Sequence, residues 1–133
     1  MKILGIESSC DETSAAVVEN GTKVLSNVIA SQIKLHAKTG GVVPEVAARE
    51  HTEKILPVIQ KALKDAKVKI ENIDAVAVAY GPGLISSLLV GTTVANMISM
   101  IMAKPLIAVR HILGHVYAPF LEVRGAPEFP VLS

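Results

Sequence analysis

The segment Ser14-Ala-Ala-Val-Val-Glu-Asn-Gly-Thr22 sets the topology of this chain. Asn20-Gly21 is the strongest short hairpin signal, because both central positions of a tight hairpin turn need positive φ and these residues tolerate it. The pair joins a strand over Ser14–Glu19 to a returning strand over Thr22–Ile29. Just upstream, the short apolar run Lys2–Glu7 reads as another strand. Three antiparallel strands therefore open the domain.

Farther along, the pattern changes from hairpins to alternation of helix and strand. Ser31–Val43 is loop-rich, broken by Gly40-Gly41, with a helical turn around Gln32–His36. Pro44 suits the first turn of a helix reaching about Lys67. Pro57 lies inside that helix and predicts a kink or a brief restart. Ile73–Ala79 reads as a fourth strand buried on both faces, and Gly81-Pro82-Gly83 turns it into a helix over Leu84–Ala103. Leu106–Val109 is a fifth strand, followed by a helix carrying His111 and His115. Antiparallel strands followed by parallel strands with crossover helices define an α/β class, one lobe of the actin-like (ribonuclease H-like) fold. Gly125-Ala-Pro127 makes a loop, and Phe129-Pro-Val-Leu-Ser133 reads as a strand just beginning. The expectation is a single lobe over residues 1–133 of a truncated polypeptide.

Bulk properties narrow the function. The chain has 133 residues, half of them apolar and 19% charged, with no Trp. That is enough for one domain with a core of Val, Ile, Leu and Ala. A net charge of +1 supplies no global attraction to nucleic acid, so such binding would need a local patch or a partner. The single cysteine, Cys10, excludes an internal disulfide and agrees with a reducing cytoplasm. The amino terminus turns acidic at Glu7, too early for a signal peptide. Leu84–Ala103 is long enough to span a bilayer, but Ser86, Ser87, Thr92, Thr93, Asn96 and Ser99 interrupt it. Its flanking turns fit a core helix, so no membrane is expected.

Three stretches carry candidate chemistry. His111 and His115, four residues apart on one helix face, can bring two imidazoles to one cation. They follow a buried-looking strand, and ligands in α/β sheets collect beyond the carboxyl ends of strands. They could equally be two ordinary histidines, and a metal site needs a third ligand that the pair does not supply. The loop Ser8-Ser-Cys-Asp-Glu-Thr13 suits a phosphate cradle, with Asp11 and Glu12 able to orient a cation or act as general base. It could also be a solvated hairpin tip. Gly81-Pro82-Gly83 could face an anion with its amides, though a turn permitting close helix–sheet packing is the favoured role. No Gly-Lys-Ser/Thr follows, so it is not a P-loop. Cys10 has no evident partner base and reads as an incidental small residue. His36 and His51 read as structural or exposed. A metalloprotease would need a glutamate directly after the first histidine, and Ile112 stands there.

Taken in order, Gly5-Ile-Glu-Ser-Ser-Cys-Asp-Glu-Thr-Ser14, His36, Gly40-Gly-Val-Val-Pro-Glu45, Ala48-Arg-Glu-His51, Tyr80-Gly-Pro-Gly-Leu84, Lys104-Pro-Leu106 and His111-x-x-Gly-His115 form a specific series. The chain resembles the amino-terminal half of the bacterial TsaD family, the tRNA threonylcarbamoyladenosine transferases once described as O-sialoglycoprotein endopeptidases. The resemblance implies a two-lobed actin-like enzyme. Such an enzyme moves threonylcarbamoyl from threonylcarbamoyl-adenylate to N6 of the adenosine 3′ of the anticodon in tRNAs that read codons beginning with A. It implies that His111 and His115 are two ligands of an iron(II) or zinc ion, completed by an aspartate near the family's carboxyl terminus. It places Asp11 at the family's proposed catalytic acidic position, with Glu12 second. Arg110 stands where the family carries asparagine, and Ile85-Ser-Ser87 differs from its more usual small apolar residues. The family's Ser-Gly-Gly-His-Thr loop and second lobe would follow Ser133, so this lobe is not expected to catalyse alone.

The implied partners are tRNA, a TsaB-like relative and a TsaE-like ATPase. An apolar lobe–lobe face would favour self-association into a homo-oligomer. The alternative is a noncatalytic, TsaB-like scaffold of the same machinery, which should lack the histidine pair. Half of a sugar or acetate kinase would instead show phosphate-loop features.

Overall fold

The computed structural model describes residues 1–121. The strand expected over Phe129–Ser133 lies outside them. Strands β1 (Lys2–Glu7), β2 (Glu12–Glu19) and β3 (Lys23–Ser31) are antiparallel neighbours. The β2–β3 turn is the expected one, with Asn20 at φ 53° and Gly21 at φ 82°. Strands β4 (Ala75–Gly81) and β5 (Leu106–Arg110) then extend the sheet in parallel with β1, giving the order β3-β2-β1-β4-β5.

The short helix α1 (Ile33–His36) precedes α2 (Pro44–Asp65), and α3 (Ile85–Met102) connects β4 to β5. Helices α2 and α3 contact each other and the sheet, α2 over β2 and β3 and α3 over β4 and β1. Burial alternates along the strands, so Leu4, Ile6, Ala15, Val17, Val76 and Val78 meet Ile55, Val58, Ile59, Ala62 and Ala95 of the helices in one core. The opposite face carries small residues such as Gly5, Ala16 and Ala77, and Glu7 at its edge. A last short helix, α4 (His111–Tyr117), begins where β5 ends and contacts β4 and β5.

Two expectations are revised. The restart at Pro57 is not seen, because α2 runs through it as one element. Pro57 lies on the exposed side of the helix, where water can take the carbonyl that loses its backbone donor. Helix α3 is a core helix on one side only. Ser87, Gly91 and Ala95 are buried, while Ile85, Met100 and Ile101 are 79%, 73% and 76% exposed. By length and composition α3 is also apolar enough to cross a membrane, although its inner stripe is seated on the sheet.

Helix α3 ends at Ala103 in the left-handed region, φ 50° and ψ 45°, with the Lys104 amide donating to the Ser99 carbonyl at 2.9 Å. This is the position that glycine normally fills, since Cβ is unfavourable there. Ala103→Gly is therefore expected to stabilise the protein by about 0.5–1 kcal/mol, read as a raised urea midpoint at unchanged slope.

Candidate metal-binding and catalytic site

The three parallel strands β1, β4 and β5 end at one edge of the sheet, so Glu7, the Gly81–Gly83 turn and His111 are delivered to the same place. The loop after β1 is held there residue by residue. Ser8 is fully buried, and its hydroxyl donates to the Ser87 carbonyl at 2.9 Å and accepts the Gly91 amide at 3.1 Å. Ser9 offers its carbonyl to the Leu84 amide at 2.8 Å. Cys10 offers its carbonyl to Nε2 of His51 at 3.0 Å, and Asp11 its carbonyl to the Gln32 amide at 2.8 Å. Four consecutive residues are thus fastened by α3, the β4–α3 turn, α2 and the approach to α1. The loop is not a solvated hairpin tip.

Glycine makes this approach possible. A Cβ on Gly83 would lie 2.6 Å from the Ser9 carbonyl oxygen, and one on Gly91 would lie 2.4 Å from the Ser8 hydroxyl. The Gly81-Pro82-Gly83 stretch accordingly serves close packing, and the Leu84 amide just after it goes to the Ser9 carbonyl.

His111 and His115 converge. Their Nε2 atoms are 3.0 Å apart, with the rings edge to face at a centroid distance of 4.5 Å. Two nitrogens bonded to one ion at about 2.1 Å each can be no more than about 4.2 Å apart, and the 3.0 Å separation meets that condition. Neutral imidazole nitrogens suit divalent transition metals such as zinc, iron, copper and nickel. Among the described residues, no group of three or more His, Cys, Asp or Glu side chains is gathered to hold a metal ion. Nδ1 of His111 lies 2.9 Å from Oε2 of Glu7 and 3.2 Å from Oγ of Ser9, while Oε1 of Glu7 accepts the Ser9 amide.

A cleft of about 550 Å³ opens in front of the pair, and Asp11, Glu12, Cys10, Asn27 and Ile29 share its lining with His111 and His115. Asp11 is half-buried and Glu12 exposed. Burial pushes the Cys10 thiol up, and the negative charge and hydrogen bond of Asp11 push it further. A thiol so held is a poor nucleophile at neutral pH.

His36 and His51 lie outside the cleft lining and, contrary to the exposed alternative, both are buried. His36 pairs with Gln32 through Nε2 at 2.8 Å. His51 belongs to the inner stripe of α2, between Ala47 and Ile55, a spacing that its helical period already contained. Its ring bridges Thr13 and Cys10. Sequence reasoning missed Glu7 and Ser9 as neighbours of His111. The available signal was a carboxylate ending an otherwise apolar strand.

Fold and site together define a ribonuclease H-like lobe with a histidine pair at the carboxyl edge of its parallel strands. The chain belongs to the TsaD family, tRNA N6-adenosine threonylcarbamoyltransferase, which matches residues 23–133. It is 59% identical over 130 residues to the tRNA N6-adenosine threonylcarbamoyltransferase of Symbiobacterium thermophilum, covering 98% of this chain and 38% of that protein. The Moorella thermoacetica protein of the same description is 55% identical over 131 residues, with coverage of 98% and 38%. The chain thus spans well under half the length of these curated relatives. Among solved structures, YeaZ from Pseudomonas aeruginosa superposes with a TM-score of 0.64 at 19% identity, over 89% of this chain and 48% of that one. RuvC of T. thermophilus, solved with a Holliday junction substrate, gives 0.56 at 15% identity, over 96% and 83%. Those two likenesses concern the fold alone.

Proposed function

We propose that this chain is the first lobe of a transferase moving threonylcarbamoyl from threonylcarbamoyl-adenylate to N6 of the adenosine 3′ of the tRNA anticodon. The family match over residues 23–133 carries this reading. In the reaction the N6 amine attacks the carbamoyl carbon, the bond to the adenylate phosphate breaks, and the amine loses a proton. His111 and His115 would hold an iron(II) or zinc ion. When bound, that ion supplies Lewis-acid polarisation of a substrate oxygen. Asp11 is the candidate base for the amine proton, with Glu12 second, since both line the cleft that the histidines face. The pinned Ser8–Asp11 loop keeps the Asp11 backbone in place without reorganisation, which favours the transition state over the free substrate.

The remainder of the reading concerns association. The exposed apolar side chains of α3, with Leu106 and Ile107 of β5 at the sheet edge, support contact with a further lobe, a TsaB-like or TsaE-like protein, or a second copy. A cytoplasmic location accords with the unpaired Cys10.

The test joins residues 1–133 to the remaining segment of the Symbiobacterium relative and assays threonylcarbamoyl incorporation into tRNA. Incorporation is expected from the joined protein. His111→Ala and His115→Ala should each reduce it by about 100-fold or more, together with loss of one bound iron or zinc per chain in an anaerobic titration. A well-folded joined protein that leaves tRNA unmodified would sink the transferase reading. Metal binding indifferent to both substitutions would sink the histidine assignment.

A further inference from the structure

We infer that Glu7 is a positioning residue that fixes the tautomer of His111, so that Nε2 rather than Nδ1 carries the free lone pair facing His115. The inference rests on the metal reading above and adds a residue and a role to it.

An ionised carboxylate can only accept hydrogen bonds. Oε2 of Glu7 stands 2.9 Å from Nδ1 of His111, a distance at which Nδ1 must bear the hydrogen, because a second lone pair there would be repelled. The Ser9 hydroxyl at 3.2 Å does not oppose the choice, since its Oγ can accept the same N–H as the minor arm of a forked bond. A neutral imidazole with its hydrogen on Nδ1 has its lone pair on Nε2. That is the atom 3.0 Å from Nε2 of His115.

Glu7 is itself immobilised. It is the last residue of β1, and its other oxygen accepts the Ser9 amide. Ser9 is held in turn by Leu84 and crowded by Gly83. The carboxylate therefore has one oxygen committed to the loop and one to the ring. An acceptor at the far nitrogen both orients a ligating imidazole and raises its basicity, and removing such an acceptor typically costs metal affinity about 10–100-fold.

Glutamine at this position separates orientation from chemistry. Its amide can present either an acceptor or a donor to Nδ1, so the constraint on the ring is lost with little change in volume. The experiment records long-range proton–nitrogen spectra of the imidazoles in the metal-free wild-type chain and in Glu7→Gln at alkaline pH, and titrates zinc into the wild-type and Glu7→Gln forms of the joined protein described above. The expected result is His111 in the Nδ1–H form in the wild type and a mixture of tautomers in Glu7→Gln. Zinc affinity should fall about 10–100-fold while circular dichroism is unchanged. His111 carrying its hydrogen on Nε2 in the wild type would overturn the inference whether or not the variant folds. So would a Glu7→Gln protein that keeps both the wild-type tautomer and the wild-type affinity. A wild type with the Nδ1–H tautomer whose joined protein binds no zinc would instead overturn the metal reading and leave the tautomer assignment standing.

Discussion

Replacing His51 with alanine should destabilise the protein by about 3–4 kcal/mol, enough to lower the melting temperature by roughly 10 °C or more. His51 has no solvent exposure. Its Nε2–H donates to the Cys10 carbonyl at 3.0 Å, and its Nδ1 accepts the Thr13 hydroxyl at 2.7 Å. Thr13 is also fully buried. Truncation leaves both partners without their bond and opens a cavity beneath the Ser8–Asp11 loop, two penalties that act together. Thermal unfolding of wild type and variant, with the loss of near-ultraviolet dichroism as a second probe, measures the effect. A shift of only a degree or two would show that the loop does not depend on this ring.

The same residue makes stability depend on pH. Burial holds the His51 pKa below the ordinary histidine value of 6.5, more strongly than the nearby Cys10 carbonyl and carboxylates raise it. The unfolded chain therefore takes up the proton first as pH falls. The contribution of neutral, buried His51 is fully present above about pH 6.5 and is lost progressively below it, down to the depressed folded value. Urea midpoints measured between about pH 8 and pH 5 should fall in the wild type, and fall less steeply in His51→Ala.

Gly83→Ala should cost about 2–3 kcal/mol and disturb the site as well. The added Cβ would sit 2.6 Å from the Ser9 carbonyl oxygen, 2.7 Å from its Cβ and 3.0 Å from its Cα. Those are mostly atoms of a backbone held by hydrogen bonds, so the loop must move as a unit. Ser9 touches both Glu7 and His111, and weakened zinc binding should accompany the lost stability. Gly41→Ala supplies the control, since nothing lies within 4 Å of its added Cβ. It should change stability by less than about 0.5 kcal/mol. Equal effects at the two glycines would argue against the close approach at Ser9.

Much of the architecture was legible because it rests on local rules. Asn20-Gly21 dictates its turn through backbone sterics, and the apolar runs of β1, β4 and β5 mark strands, but β5, which looks buried from its sequence, is mostly exposed because it forms the sheet edge. Handedness and connection rules then leave few ways to join them. Boundaries moved by a residue or two, as at β2, which begins at Glu12 rather than Ser14, because ladder pairing extends strands past their apolar cores. Of the kink or brief restart expected at Pro57, the restart is absent for a reason that composition does not contain, namely that the proline faces solvent.

The candidate site divides the same way. The spacing of His111 and His115 was enough to place both rings on one helical face. The hydrogen bond from His111 to Glu7 spans 104 residues of sequence, and the one from Ser8 to Ser87 spans 79. Nothing local announces such pairs. They arise because parallel strands carry distant residues to one sheet edge, where each buried polar group must find a partner. Residue order alone therefore yields the strands, the turn and the histidine pair. The folded sheet yields their neighbours, because partner choice for a buried polar atom is settled by three-dimensional proximity and the cost of leaving it unpaired.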